Sequence, residues 1–449
     1  MTDSSPPPRP ARKPRRRWRW HVPPALMHGP EQLEGGEILT EMEGAQALVM
    51  FQLARDVSLW GSADPDERRP DPDATGPQGH SADRADFFTA DAYSRLVAQL
   101  EAAGFESAVE APLRAAAEVL RAPGEVTRAQ LTAACLDVSK WADEREMPGT
   151  ALAWAQAGAI ASPRDAAMGF RVGLLARRRA EYPRAESWFR RVIGLGRQAK
   201  DWESYSRAFL GLANLYIQRG NYPAARRFLI RGLRAARRHG LRELQASAYH
   251  DLFAIAVQTD QFGEANDLAR LAFRAYGPRH PRLPVLASDI GLLWLLRGEF
   301  APALDVLRAA HPHISHPCEQ LLSWGNIARA SGGAGDRAVY DEAWDNIWSY
   351  AGDWHNRENA PWALMDAARG ATSLGDWTRA ERAASTAREI AVRRKEAHVL
   401  AEAESVLDSV TRRLQFSATA PSSSSEDDAL VQGLASDLTR YLRGKTAAE

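Results

Sequence analysis

The sequence predicts an all-α, right-handed α-solenoid of about seven or eight stacked helix hairpins, and three observations carry that expectation. The first is a recurring register of alanine, a second apolar residue four positions later, and a small or apolar residue three beyond. It reads Ala151, Ala155, Gly158; Ala185, Phe189, Val192; Ala225, Leu229, Gly232; Ala265, Ala269, Ala272; Ala303, Leu307, Ala310; and Ala380, Ala384, Ala387. The leading alanines lie 34, 40, 40, 38 and 77 residues apart, so the last interval holds one degenerate unit at 319–350. A period of this size marks hairpins that cannot bury their apolar faces alone and stack to do so. The second observation is apolar spacing of three or four residues sustained over 86–415, with no alternating run bounded by turn residues that would argue for strands. The third is punctuation. Gly220-Asn221-Tyr222-Pro223 and Gly298-Glu299-Phe300 stop one helix and launch the next, and Ser162-Pro163 puts proline close to a helix start.

Along the chain, residues 1–36 are rich in proline, arginine and glycine and are expected to form a disordered basic arm, since they bury too little apolar surface to offset ordering. Over 37–60 the residues Ile38, Met42, Ala45, Val49, Leu53, Val57 and Trp60 recur at helical spacing, predicting one amphipathic helix that docks on the solenoid. Residues 61–85, with Pro70-Asp71-Pro72-Asp73 and Gly76-Pro77, read as a linker before the solenoid proper at 86–415. Within the degenerate unit stands Ala330-Ser331-Gly332-Gly333-Ala334-Gly335. Each helical glycine costs about 1 kcal/mol relative to alanine, which predicts a flexible joint there. A serine-rich linker at 416–428 leads to a short amphipathic helix at 429–443, with Leu430, Leu434, Leu438, Tyr441 and Leu442 on one face. That helix is expected to dock in cis or to recruit a partner.

A hydrophobic content of 45 % with 25 % charged residues excludes disorder of the whole chain. Two cysteines, Cys135 and Cys318, exclude a disulfide framework and suit a reducing compartment. No run of eighteen apolar residues occurs, and the basic run from Arg15 to Arg19 is followed by Pro23 and Pro24 instead of an apolar stretch. A cytoplasmic chain without signal peptide or membrane span is expected. Net charge is zero, yet 164–242 carries 19 basic against 5 acidic residues and 336–358 carries 2 against 6, a layout able to orient a partner.

In the best unit, Phe209, Leu212, Ala213 and Tyr216 of one helix and Ala225 and Leu229 of the next resemble the signature of the tetratricopeptide repeat (TPR) family. The resemblance covers 127–391 and more loosely 86–415. Units near 40 residues exceed the family's usual length of about 34, and the closing proline is mostly missing. Longer units of this kind resemble the repeat domains of bacterial signalling regulators and peptide-pheromone receptors, although no helix-turn-helix module precedes them here. The resemblance implies a scaffold that binds a peptide or protein segment in a concave groove lined by the first helix of each pair. It places Arg171, Arg178, Arg207, Asn214, Gln218, His250, Asp251, Gln258, Asp289, Asp366 and Arg369 on or near that surface, with Trp362 turned towards it. Family members often use an asparagine at the position of Asn214 to bind a peptide backbone. Their carboxylate clamp also wants a lysine four residues earlier, where this chain has Leu210. As a groove residue, Asn214 is expected to contribute little to stability.

Other strings compete for attention. His311, His313, His316 and Cys318 are metal-ligand residue types, but two prolines and an uncommon spacing argue against zinc, and no cofactor is expected. Trp324, Trp344, Trp348, Trp354, Trp362 and Trp377 fall within 54 residues and read chiefly as core. Arg227, Arg231, Arg234 and Arg238 recur at i, i+4, i+7 and i+11, forming a convex stripe that suits phosphates or is simply solvated. Nucleic acid is therefore a second partner class, behind protein. No Gly-rich phosphate loop, Gly-x-Ser-x-Gly elbow or His-Glu-x-x-His occurs, and His250 and Asp251 point about 100° apart on a helix, so no enzyme is expected.

Overall fold

The computed structural model describes residues 36–62, 88–121, 125–350, 354, 357–414 and 425–446. The arm at 1–35, most of the 61–85 linker and the serine-rich stretch up to residue 424 lie outside the described residues.

Eight helix hairpins follow one another, with no strand among the described residues. They are α3 (Ala90–Ala103) with α4 (Ser107–Arg121), α5 (Glu125–Glu144) with α6 (Pro148–Ala161), α7 (Ala166–Arg178) with α8 (Tyr182–Ala199), and α9 (Trp202–Gln218) with α10 (Tyr222–Arg238). Then come α11 (Arg242–Gln258) with α12 (Phe262–Tyr276), α13 (Leu283–Leu296) with α14 (Phe300–Ala310), α15 (Pro317–Ala334) with α16 (Arg337–Ser349), and α17 (Ala360–Ser373) with α18 (Trp377–Arg394). A single helix, α19 (Ala397–Thr411), covers the exposed end of the last pair. Stacked antiparallel pairs of this kind make the chain a TPR-like helical-repeat solenoid.

The alanine register explains the stacking. Ala151, Ala185, Ala225, Ala265, Ala303 and Ala380 each sit in the second helix of a pair and are fully buried, so the two helices of each hairpin approach without side-chain bulk between them. Turn chemistry is equally regular. A left-handed residue ends one helix and a short polar side chain caps the next: Asn221 Oδ1 accepts from Ala224 N at 3.1 Å after Gly220 (φ 68°), and Asp376 Oδ1 accepts from Arg379 N at 3.2 Å after Gly375 (φ 72°). Lys200, at φ 60°, takes the same role without glycine before Asp201.

The glycine run of the degenerate unit, where the composition predicts a flexible joint, lies at a close helix crossing. It is helical to the end of α15, and a Cβ on Gly332 would stand 2.3 Å from Gly370 O of α17, while one on Gly370 would stand 2.3 Å from Ala328 O. Absence of side chains lets the two backbones touch, and dispersion contacts along this crossing offset part of the helix-propensity cost of the glycines.

Three helices lie outside the stack. The segment expected to form one helix over 37–60 is two, α1 (Ile38–Glu41) and α2 (Gly44–Ser62), because Met42 is extended (φ −130°, ψ 157°). The break lets Glu41 cap α6: its carboxylate accepts from Gly149 N and Thr150 N, both at 2.7 Å. At the other end α20 (Ser425–Thr446) buries Leu434, Ala435, Leu438 and Leu442 against α12, α13 and α14. No helix among the described residues is long and apolar enough to cross a membrane.

Candidate functional site

The first helices α5, α7, α9, α11, α13, α15 and α17, then α19, stand side by side, and a polar rung joins each to the next. Arg171 of α7 donates to Asp143 of α5 at 2.9 Å, and Arg178 reaches the same carboxylate at 3.1 Å. Arg207 of α9 lies over the Phe170 ring of α7 at 6.0 Å and also pairs with its exposed neighbour Glu203. Asn214 Nδ2 donates to Asp251 Oδ2 of α11 at 3.1 Å. His250 Nε2 meets Asp289 of α13 at 2.8 Å, with its Nδ1 3.2 Å from the Tyr276 hydroxyl. Arg282, just before α13, pairs with Glu319 of α15 at 2.7 Å; Arg329 of α15 pairs with Asp366 of α17 at 3.1 Å. Arg369 of α17 also bonds Asp366 and comes within 3.9 Å of Glu402 on α19.

Groove residues that read from sequence as available to a partner are thus mostly committed to a neighbouring repeat. Asn214 is the clearest case. Its Nδ2 is held by Leu210 O and by Asp251, whose carboxyl is pushed up by burial and drawn back by His250 and Arg282. Losing Asn214 therefore takes one hydrogen-bond donor from a half-buried carboxyl that His250 and Arg282 still face, so a modest loss of stability replaces the expectation of an untouched one. Sequence reasoning missed the rungs, although a signal exists: Asn214 and Asp251, Arg282 and Glu319, and Arg329 and Asp366 are each 37 residues apart, and His250 and Asp289 are 39 apart. Complementary residues one repeat apart on the same face are what such a ladder requires.

A second feature closes the groove. The turn between α7 and α8 meets the turn between α18 and α19: Arg394 Nη2 donates to Arg178 O at 2.9 Å, and the Tyr182 hydroxyl donates to Glu396 at 2.7 Å. Arg177 Nη1 donates to Glu358 at 2.5 Å, Gln218 Nε2 donates to the same carboxylate, and Arg357 pairs with Glu146 of the turn after α5. Trp362 packs its ring 5.9 Å from His398 of α19, which also meets Tyr222 at the start of α10. Early and late repeats are therefore tied across the interior. Gln258 is exposed at the end of α11, with no partner among the described residues.

The other strings take structural places. Trp344 and Trp354 are buried, and Trp348 bridges them at ring separations of 5.2 and 4.8 Å with Arg382 stacked over it at 3.6 Å. Arg227, Arg231, Arg234 and Arg238 are exposed on α10, without an acidic partner among the described residues. His311 Nδ1 lies 3.1 Å from Ser323 Oγ, His313 Nε2 lies 3.0 Å from Leu442 O, and His316 caps Cys318 N at 3.3 Å; among the described residues no such group gathers into a metal set. Burial lowers His311 from 6.5 to about 4, so the fold holds it neutral while the unfolded chain protonates near 6.5. Its contribution is complete above pH 6.5 and is lost as pH falls towards 4. The urea midpoint is expected to fall across that window, and less steeply in His311→Gln; identical slopes in the two proteins would contradict it.

No family model and no curated relative matches the sequence. Among solved structures the chain is similar to a Rap protein complexed with competence and sporulation factor, at 10 % identity over 88 % of this chain and 99 % of that one, TM-score 0.37. It is also similar to the Rap conjugation gene regulator of plasmid pLS20 in complex with the Phr* peptide, at 9 % identity, coverage of 80 % and 96 %, and TM-score 0.36. A third is the TPR domain of P58(IPK), at 13 % identity, coverage of 71 % and 98 %, and TM-score 0.21.

Proposed function

We propose that the chain is a cytoplasmic binding module, without catalytic activity of its own, that holds an extended segment of a partner protein along the inner face of its first helices. One observation carries this reading: two side-chain amides on α9 are fixed by their NH₂ groups, and their carbonyl oxygens accept no hydrogen bond among the described residues. Asn214 Nδ2 is spent on Leu210 O and Asp251, and Gln218 Nε2 on Glu358, while Gln218 Oε1 is buried with no partner among the described residues. Asn214 and Gln218 are one helical turn apart, about 6 Å. Alternate N–H groups of an extended chain repeat at about 6.6–6.8 Å, a spacing that suits successive outward-facing amides of one strand, which reach Gln218 Oε1 only once that buried oxygen rotates outwards.

The test begins with capture of a partner on the full chain and continues with calorimetry. Asn214→Ala is expected to weaken the partner by about tenfold or more, because a lost hydrogen bond in a dry groove costs about 1–3 kcal/mol. It also lowers chain stability by about 0.5–1.5 kcal/mol through the lost hydrogen bond to Asp251, which urea unfolding reads separately. Arg234→Ala leaves that affinity unchanged. A loss with Arg234→Ala and none with Asn214→Ala would transfer the function to the convex side. That second reading, an acidic or nucleic-acid partner on the stripe of Arg227, Arg231, Arg234 and Arg238, is favoured by the exposure of all four. It predicts binding that weakens steeply with salt.

A further inference from the structure

Glu358 stands two residues before α17 in sequence, yet its carboxylate lies in the interior against the C-terminal ends of α7 and α9, 181 and 140 residues away. Its side chain is 16 % exposed and that of Arg177 is 12 % exposed, so the pair is withdrawn from water. Burial alone would raise the Glu358 carboxyl, and the guanidiniums of Arg177 and Arg178, with Arg394 beyond, hold it below its ordinary value. The seat holds one donor more than Glu358 uses: Arg177 Nε is buried with no partner among the described residues.

We infer that Glu358 is a resident occupant of the groove, and that the partner segment carries a carboxylate which replaces it against Arg177 and Gln218. This rests on the reading of the groove as a peptide site and names both the chemistry of the peptide and the contact it displaces. Charge decides the chemistry. A buried guanidinium stranded by a neutral occupant is strongly unfavourable, whereas exchanging one carboxylate for another leaves Arg177 paired and costs little net. Position agrees with it, because Gln218 belongs both to the Glu358 seat and to the pair of amides on α9. A strand accepted by Asn214 and Gln218 therefore ends beside Arg177. The seat differs from the lysine-based clamp that Leu210 argues against, since its cation comes from the preceding hairpin and its occupant from the same chain.

The carboxylate can be an acidic side chain or a chain terminus, and three probes separate the sources. They are N-acetyl-Gly-Gly-Glu-Gly-Gly-amide, N-acetyl-pentaglycine with a free C-terminus, and N-acetyl-Gly-Gly-Gln-Gly-Gly-amide as the neutral control, titrated by calorimetry against the full chain. Glu358→Ala is expected to bind one or both carboxylate probes at least about tenfold more tightly than the parent, with the stronger of the two naming the source. The neutral probe gains nothing, and adding Arg177→Ala removes the gain. Glu358→Gln, which keeps the side-chain volume, gives the same ranking with a smaller gain and serves if the alanine variant does not fold. Equal binding by parent and both variants, a neutral probe matching the acidic one, or a gain that survives Arg177→Ala would each overturn the proposal. These outcomes leave the site of a captured partner to be read independently from Asn214→Ala.

Discussion

Phe189→Ala is expected to lower the stability of the fold by about 3–5 kcal/mol, read as a fall in the urea midpoint. Phe189 is fully buried on α8, and its ring fills the space left by two missing side chains: a Cβ on Gly173 of α7 would stand 2.8 Å from it, and one on Gly211 of α9 2.5 Å. One ring thus joins two consecutive hairpins, and its removal leaves a cavity walled by glycines that cannot reach inwards. A double-mutant cycle makes the claim specific. Gly211→Ala alone overpacks and costs about 1–3 kcal/mol, but in the Phe189→Ala background the same change is neutral or favourable. Additive losses would show that the ring and the glycine do not share that space.

The second large effect concerns the closure. Arg394→Ala is expected to cost about 3–5 kcal/mol, because Arg394 and Glu396 each have side chains 4 % exposed and form a bidentate pair at 3.0 and 3.1 Å. Truncation leaves the Glu396 carboxylate buried without its cation and takes the donor from Arg178 O. Since these bonds tie the α7–α8 turn to the α18–α19 turn, the solenoid is also expected to open, with a larger radius of gyration in solution scattering. Arg388→Ala, at an exposed position of the same helix, is the control and changes neither quantity. An Arg394→Ala protein as stable and as compact as the control would contradict the closure.

What the sequence shows of this molecule follows the range of the forces involved. Hairpin count, helix ends and the buried alanines are legible because each depends on residues within one period: a cap three residues from its N–H, an apolar stripe at helical spacing. Gly332 and Gly370 defeat a local reading, since their helix-propensity cost is visible in the sequence and the close backbone approach they permit is not. The residues of the first helices can be picked out from the repeat register, but their pairings cannot. Asn214, His250, Asp289 and Asp366 read as free when each is considered on its own helix, whereas their partners stand one repeat away. Closure lay further out of reach. Glu358 meets Arg177 only because small rotations between successive hairpins accumulate over five units, and no single turn encodes that sum.

The central claim is that a partner segment lies on the inner face of the first helices, and amide hydrogen exchange of the full chain with and without a captured partner tests it most directly. Binding on that face is expected to slow exchange in α7, α9 and α11 and to release the turn that carries Glu358, while α10 and its arginine stripe exchange at unchanged rates. Protection confined to α10, with α9 and the Glu358 turn unaltered, would contradict the account and place the partner on the convex side.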